Sequence, residues 1–332
     1  MSNNGSEREG KELIDATRPF AVERPLRTVF EVLFTMAVLG GSLWAAMMAP
    51  AWWLQAFAVV IAGLTIVRGF ILYHDVFHSA LAKGPALWAR LLRAFFWLYG
   101  LLVLTPPVNW KNTHNYHHAH TAKIVGSHIG SYIVLTTDMY RQATPRERLM
   151  YKVSRHPLTV LFGYATIFLW GMCLSSFIRN PRKNRSSVTA LALHVVLLVA
   201  ITGAFGWKVC LTAFVLPLFV AFASGAYLFY AQHNFPGMHV EPRETWSYTR
   251  AALESSSYME CGALMRWFTG NIGYHHVHHL NPSIPFYRLP EAMYGVEELR
   301  NPIKTTLRPS DIIACFRLKL WDPQRNEMVP FP

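Results

Sequence analysis

"WWLQAFAVVIAGLTIVRGFILYHDVFH", residues 52–78, decides how this chain is built. From Trp52 to Tyr73 the only charge is Arg68. At about 1.5 Å per residue such a helix is long enough to cross a hydrocarbon core of about 30 Å. The run then ends in His74 and His78, four residues apart, which a helix turns to one side. A membrane crossing that delivers paired imidazoles to its own end is the element to explain.

Working outward, the run from about Val29 to Met48 carries only Glu31, and its link to the next run, "MAPAWW", is uncharged and ends in two tryptophans. That predicts a helical hairpin with its turn at the far interface. Apolar runs at 188–206 and 208–230 predict a second hairpin, with Lys208 the single charge of its turn. "RNPRKNR", residues 179–185, holds four cations and marks a cytoplasmic loop. Segment 158–178 must then dip in and return, or lie along the surface. The shorter "FFWLYGLLVLTPP", residues 95–107, reads as an interfacial or re-entrant helix. The expectation is an all-α, multi-pass membrane protein of about four transmembrane helices plus interfacial helices. Its histidine-rich cap would sit on the cytoplasmic side, which is the inner-membrane face in a bacterium.

Composition agrees. The 332 residues are 52% hydrophobic and only 15% charged. Residues 1–25 are polar and lack the apolar stretch of a signal peptide, so a cytoplasmic N-terminal segment is expected. Residues 280–332 read as a soluble cap, with 301–332 as a cytoplasmic tail. Cys173, Cys210, Cys261 and Cys315 show no C-x-x-C spacing, and three of them lie in apolar surroundings, which predicts small buried thiols rather than disulfides or a zinc site. A net charge of +12 suits anionic headgroups or an acidic protein partner. No basic stripe with interleaved aromatics occurs, so nucleic acid is not an expected partner.

Most of the 15 histidines fall in four places. Besides His74 and His78, "HNYHHAH" supplies His114, His117, His118 and His120, and "HHVHH" supplies His275, His276, His278 and His279. His233 follows the last apolar run. If ionised together such rings would repel, and if neutral they would leave many ring nitrogens without partners. Neutral imidazoles around divalent cations resolve both difficulties. Eight or nine are too many for one ion, so two are implied. Imidazole suits Zn, Cu, Fe and Ni alike, and ligand type does not choose among them.

"HDVFH", "HNYHH" and "HHVHH", in that order and at helix ends, resemble the three histidine boxes of the integral-membrane fatty acid desaturase family. "GNIGYHHVHHLNPSIPFYRLPEA", residues 270–292, is similar to the bacterial acyl-lipid omega-6 (delta-12)-like branch. The resemblance covers roughly residues 26–300. It implies a non-haem di-iron centre with His74, His78, His114, His117, His118, His233, His275, His278 and His279 as ligands. It also implies an oxygen-dependent enzyme that places a cis double bond in an acyl chain. Where relatives carry an Asn one turn before the last-helix histidine, this chain has Phe229. The resemblance therefore leaves a tenth contact open here, with Asn271 and Asn234 the polar candidates for it.

Around the ligands, His120 and His276 are expected to orient neighbouring rings, and Asp75 either accepts a hydrogen bond from a ligand imidazole or caps a helix end. Trp110, Tyr116, Trp267, Phe268 and Tyr274 are candidates to line an acyl tunnel or to pack at the interface. His128, His156 and His239 read as surface residues, and His194 as a structural hydrogen-bonding residue. No haem motif follows His156-Pro157 and no nucleotide loop is found, so electrons are expected from a separate ferredoxin or cytochrome b5. The alternatives are a lipid or carotenoid hydroxylase or ketolase of the same superfamily and, from another class, a membrane metal transporter. A transporter would set its ionisable residues within the crossings rather than at their ends.

Overall fold

The computed structural model describes residues 8–127 and 129–332; His128 lies outside the described residues. A short helix, α1 (Gly10–Thr17), precedes the long α2 (Pro25–Met48) and α3 (Trp52–Phe77), which form the first hairpin. Pro25 opens α2, where a missing N–H leaves no bond unmade. α3 is mostly buried and forms the axis of the molecule. α2 is mostly exposed and turns Leu26, Phe30, Leu33 and Trp44 outward, as a lipid-facing helix does.

Inside this hairpin Glu31 of α2 forms an ion pair with Arg68 of α3, and Arg68 Nε also donates to Thr35 Oγ1 at 2.9 Å. Two charges at this depth are tolerable because each neutralises the other and the remaining N–H groups find oxygen.

α3, α2 and the stretch Arg185–Gln232 are each long and apolar enough to cross a membrane. α4 (Leu87–Leu102) and α5 (Pro107–His120) together make one further candidate, bent by 92°. The 48 residues of Arg185–Gln232 would measure about 72 Å if straight, twice what a bilayer needs. They are not straight. At Gly206 the backbone leaves the helix with φ of 84°, a conformation that costs glycine little. Beyond it the chain returns on itself: Cys210 Sγ approaches Leu198 O at 3.8 Å, and the rings of His194 and Phe214 lie 5.0 Å apart. The second hairpin therefore exists as expected, with Gly206 making its turn two residues before Lys208.

The returning helix, Leu216–Gln232, packs along α3 at Gly63, where an added Cβ would meet Val220 Cβ at 2.5 Å and Pro217 O at 2.8 Å. Segment 157–179 runs back along the same helix, with Val160 packed by Tyr230 and Phe168 stacked 4.2 Å from Phe222. It ends at the α4–α5 corner, where Cys173 Sγ approaches Leu104 O at 3.5 Å. It dips beside the spans without making one of its own. As expected, Cys173, Cys210 and Cys315 are buried free thiols.

The described residues depart from an all-helical reading in five short strands. Tyr258–Glu260 pairs in parallel with Lys304–Thr306, and Leu320–Asp322 lies between Leu135–Thr136 and Glu327–Val329. Residues 301–332 are thus paired with earlier parts of the chain, with Cys315 and Trp321 buried, and do not hang from it as a tail. Strands of two or three residues are too short to leave a period-two signal. The N-terminal segment is docked as well: Glu23 accepts the N–H groups of Ala82 at 2.7 Å and Lys83 at 2.9 Å, and Asn281 Nδ2 donates to Thr17 Oγ1 at 2.8 Å.

Candidate metal centre

The ends of α3, α5, helix Leu216–Gln232 and the short helix His275–Leu280 meet. Among the described residues, two groups of side chains there could hold a metal ion. The first comprises His74, His78, His114, His118 and His278; the second comprises His117, His233, His275 and His279. All nine histidines predicted as ligands are brought together.

How the helices share their rings follows from helical geometry. Residues i and i+4 lie about 40° apart around the axis, while i+3 falls about 60° to the other side. In α5 the i, i+4 pair His114 and His118 serves the first group, and His117 turns to the second. In His275–Leu280 the i, i+4 pair His275 and His279 serves the second group, and His278 returns to the first. Each box of three is divided two to one, in opposite senses. The groups touch where the rings of His118 and His279 stack 4.2 Å apart.

The donor spacing fits an ion. His118 Nε2 lies 3.2 Å from His114 Nε2 and 3.1 Å from His278 Nε2. In the second group His233 Nε2 lies 3.1 Å from His117 Nε2 and 2.9 Å from His275 Nε2, which is 3.1 Å from His279 Nε2. Bonds of about 2.1 Å to one ion set neighbouring donor nitrogens about 3.0–3.4 Å apart. His78 Nε2 is buried with no hydrogen-bond partner, a lone pair awaiting a cation.

The opposite ring nitrogens settle which atom is free. His74 Nδ1–H donates to Asp75 Oδ1 at 3.0 Å, and His233 Nδ1–H to Ser255 O at 2.9 Å. Ser131 Oγ spends its own proton on Ser127 O, so it accepts from His117 Nδ1–H at 3.2 Å. Thr121 Oγ1 likewise donates to His117 O and accepts from His279 Nδ1–H at 3.3 Å. In four rings Nε2 is thereby left as an acceptor aimed inward. Burial, and then the neighbouring imidazoles, hold His275, His278 and His279 well below the ordinary histidine range, so they are neutral and able to ligate.

Asp75 takes the hydrogen-bonding role and not the capping one, its second oxygen accepting Phe286 N–H at 2.7 Å. Three expectations are corrected. The ring of His120 stacks on Tyr116 at 3.9 Å and its Nδ1–H donates to Tyr116 O, away from the ligands. His276 Nε2–H donates to Leu299 O at 3.1 Å and so ties down the C-terminal region. Asn271 Nδ2 donates to Phe286 O at 3.2 Å, and Asn234 Nδ2 to Cys315 O at 2.6 Å; neither replaces the missing polar contact. Phe229 itself lies 5.0 Å from His117 and covers the second group with a ring. Ser131, Thr121 and Ser255 went unseen in the sequence, because hydroxyls and carbonyls carry no signal until folding places them.

Of the aromatic candidates, Trp110 stacks on His114 at 4.5 Å, Tyr116 donates to Gly126 O, Trp267 lies over Arg68, Phe268 is buried and Tyr274 packs on Tyr258. His156 caps a helix through Leu158 N–H, His239 lies 3.5 Å from Glu241, and His194 Nε2 pairs with Tyr164 Oη at 2.7 Å. His194 is thus the structural hydrogen-bonding residue its sequence setting suggests.

The fatty acid desaturase profile matches residues 50–308. A fatty acid desaturase of Bacillus subtilis is 34% identical over 284 residues, covering 83% of this chain and 77% of the relative. An sn-1 oleoyl-lipid 12-desaturase of Synechocystis is 23% identical, covering 82% and 76%. An acyl-lipid omega-3 desaturase (cytochrome b5) of the endoplasmic reticulum of Arabidopsis thaliana is 24% identical, covering 82% and 71%. With nine imidazoles converging in two groups and a profile match across most of its length, the chain belongs to the fatty acid desaturase family, whose members are oxidoreductases.

Proposed function

We propose that this protein is an oxygen-dependent acyl-lipid desaturase that introduces a cis double bond into the chain of a membrane lipid. His74, His78, His114, His118 and His278 hold one iron, and His117, His233, His275 and His279 a second. The observation that carries this reading is the division of nine inward-facing imidazoles, seven of them buried and His78 and His233 half-buried, into two groups with ion-like spacing. Two irons there would supply the oxygen chemistry that an unactivated methylene C–H requires.

The chain's own residues prepare that chemistry. Asp75, Ser131, Thr121 and the Ser255 carbonyl lock four rings in one tautomer. Trp110 and Phe229 lie against the imidazoles and keep water away from them. The balance of the reaction is one O₂, two hydrogens with their electrons from adjacent carbons, and two electrons and two protons from outside. It yields one double bond and two waters. The outside electrons come from a separate carrier, a ferredoxin or a cytochrome b5; the name of the Arabidopsis relative carries cytochrome b5. The four cations of residues 179–185 and the paired Trp52 and Trp53 favour a cytoplasmic position for the histidines.

Expression in a host that makes no polyunsaturated lipids, followed by mapping of double bonds in its lipids, tests this. A new cis double bond that disappears with His117→Ala, at unchanged protein level, is expected. An added hydroxyl group in place of a double bond would assign the hydroxylase chemistry instead.

A further inference from the structure

A groove of about 310 Å³ opens beside the centre, between the first turn of α2 and residues 263–294. Its wall carries Arg27, Arg68 and Arg266, together with Tyr287, Tyr294 and Trp267. Glu31 is the one carboxylate that lines it. That carboxylate is divided between Arg68 and Arg27, the latter at 3.3 Å. The neighbouring Glu291 is taken by Arg24 and Arg288. Arg266 reaches only the Tyr274 hydroxyl, at 3.5 Å. Three guanidiniums against one carboxylate leave an excess of two positive charges around the groove. Arginine forks fit phosphate oxygens, and tyrosine hydroxyls add donors to such a site.

The position of the groove limits what can fill it. Arg27 lies in the first turn of a span, which is headgroup depth. On the membrane side its edge continues into Phe30, Phe34 and Leu264, all exposed, with Phe34 edge-on to Trp267 at 5.7 Å. A ligand there meets cations at one end and hydrocarbon at the other. The floor is Phe286, whose N–H binds the same Asp75 carboxylate that holds His74. The groove and the first histidine group thus share one carboxylate between them.

We propose that this groove binds the phosphate of an anionic glycerophospholipid, with Arg27 and Arg266 on the phosphate and the acyl part lying along Phe30 and Phe34. The proposal names the lipid class and rests on the acyl-lipid reading above, but it is tested without turnover. The full-length protein in neutral detergent is titrated with phosphatidylglycerol, phosphatidylcholine, inorganic phosphate and coenzyme A, and bound species are counted by native mass spectrometry. Phosphatidylglycerol is expected to bind more tightly than phosphatidylcholine, and Arg266→Ala to weaken it at least about tenfold while Arg266→Lys retains part of it. Unchanged melting of both variants shows that the fold is intact. Equal binding of the two lipids, or full binding by a folded Arg266→Ala variant, overturns the proposal. So does displacement of the lipid by millimolar phosphate, or Arg266-dependent binding of coenzyme A alone. Selective lipid binding without any desaturation would sink the enzymatic reading and leave the groove assigned; desaturation without selectivity would do the reverse.

Discussion

His74 Nδ1 and Asp75 Oδ1 meet at 3.0 Å, although the two residues are neighbours in one helix, and the other oxygen of Asp75 is held by a backbone N–H 211 residues away. The carboxylate therefore fixes a ring of the first group and, in the same stroke, pins the segment after the third histidine box. Asp75→Ala should lower iron affinity about 10–100-fold, the usual cost of losing the partner of a ligand histidine. Asp75→Asn keeps an acceptor oxygen for one of the two N–H groups and sets an NH2 against the other, and should fall between. Iron content after dialysis against graded chelator measures this; full retention in Asp75→Ala would disprove the role.

Because the second and third boxes are each divided between the groups, single substitutions should be separable. His118→Ala removes a donor from the first group, and His117→Ala one from the second. Each should fall below about one hundredth of wild-type desaturation, a loss at least as large as that of an outer partner. Each should also approach one iron per chain instead of two, with different spectroscopic remainders. Loss of both irons in both variants would show that the groups fill only together.

The Glu31–Arg68 pair gives a stability prediction. Glu31→Ala leaves a buried guanidinium uncompensated and should cost about 3–5 kcal/mol. Replacing both partners with leucine and methionine should restore most of this, since nothing charged then remains in the hydrocarbon. Thermal unfolding in detergent reads the difference; equal melting of the single and double variants would contradict it.

His276 sets a pH dependence. Burial lowers it from 6.5 to about 4, whereas the unfolded chain keeps the ordinary value. Between those values the unfolded state binds the proton and the folded state does not. Stability from this residue is complete above about pH 6.5 and is lost as pH falls toward 4, by about 3 kcal/mol at most. In iron-free protein, His276→Gln should flatten part of the acid loss of melting temperature. An identical profile would mean that the other buried rings account for all of it.

Much of this was legible in the sequence because the signals are local. Apolar length gave the hairpins, and i, i+4 spacing gave the paired rings of "HDVFH". What tertiary placement decides was not legible. His276 sits within the third box yet turns its Nε2 to Leu299, and His120 lies two residues past a ligand yet stacks on Tyr116. Both occupy positions a helix aims away from the two groups, at 100° steps that spacing reveals only once the axis is fixed. The strands joining residues 258–260 to 304–306 depend on partners some forty residues apart and are too short to declare themselves. The desaturase resemblance, in turn, is what points to iron where imidazole chemistry alone leaves the metal open.

His117 and His118 are consecutive residues that serve different groups. Inserting or deleting one residue inside α5 would rotate everything beyond it by about 100° and send each ring to the wrong neighbour. Length variation among related chains should therefore gather in the connection after Thr121, while the stretch from Asn109 to His118 keeps a fixed count. An enzyme of this plan can lengthen its loops freely in the course of descent, but it cannot change the number of steps between its paired rings.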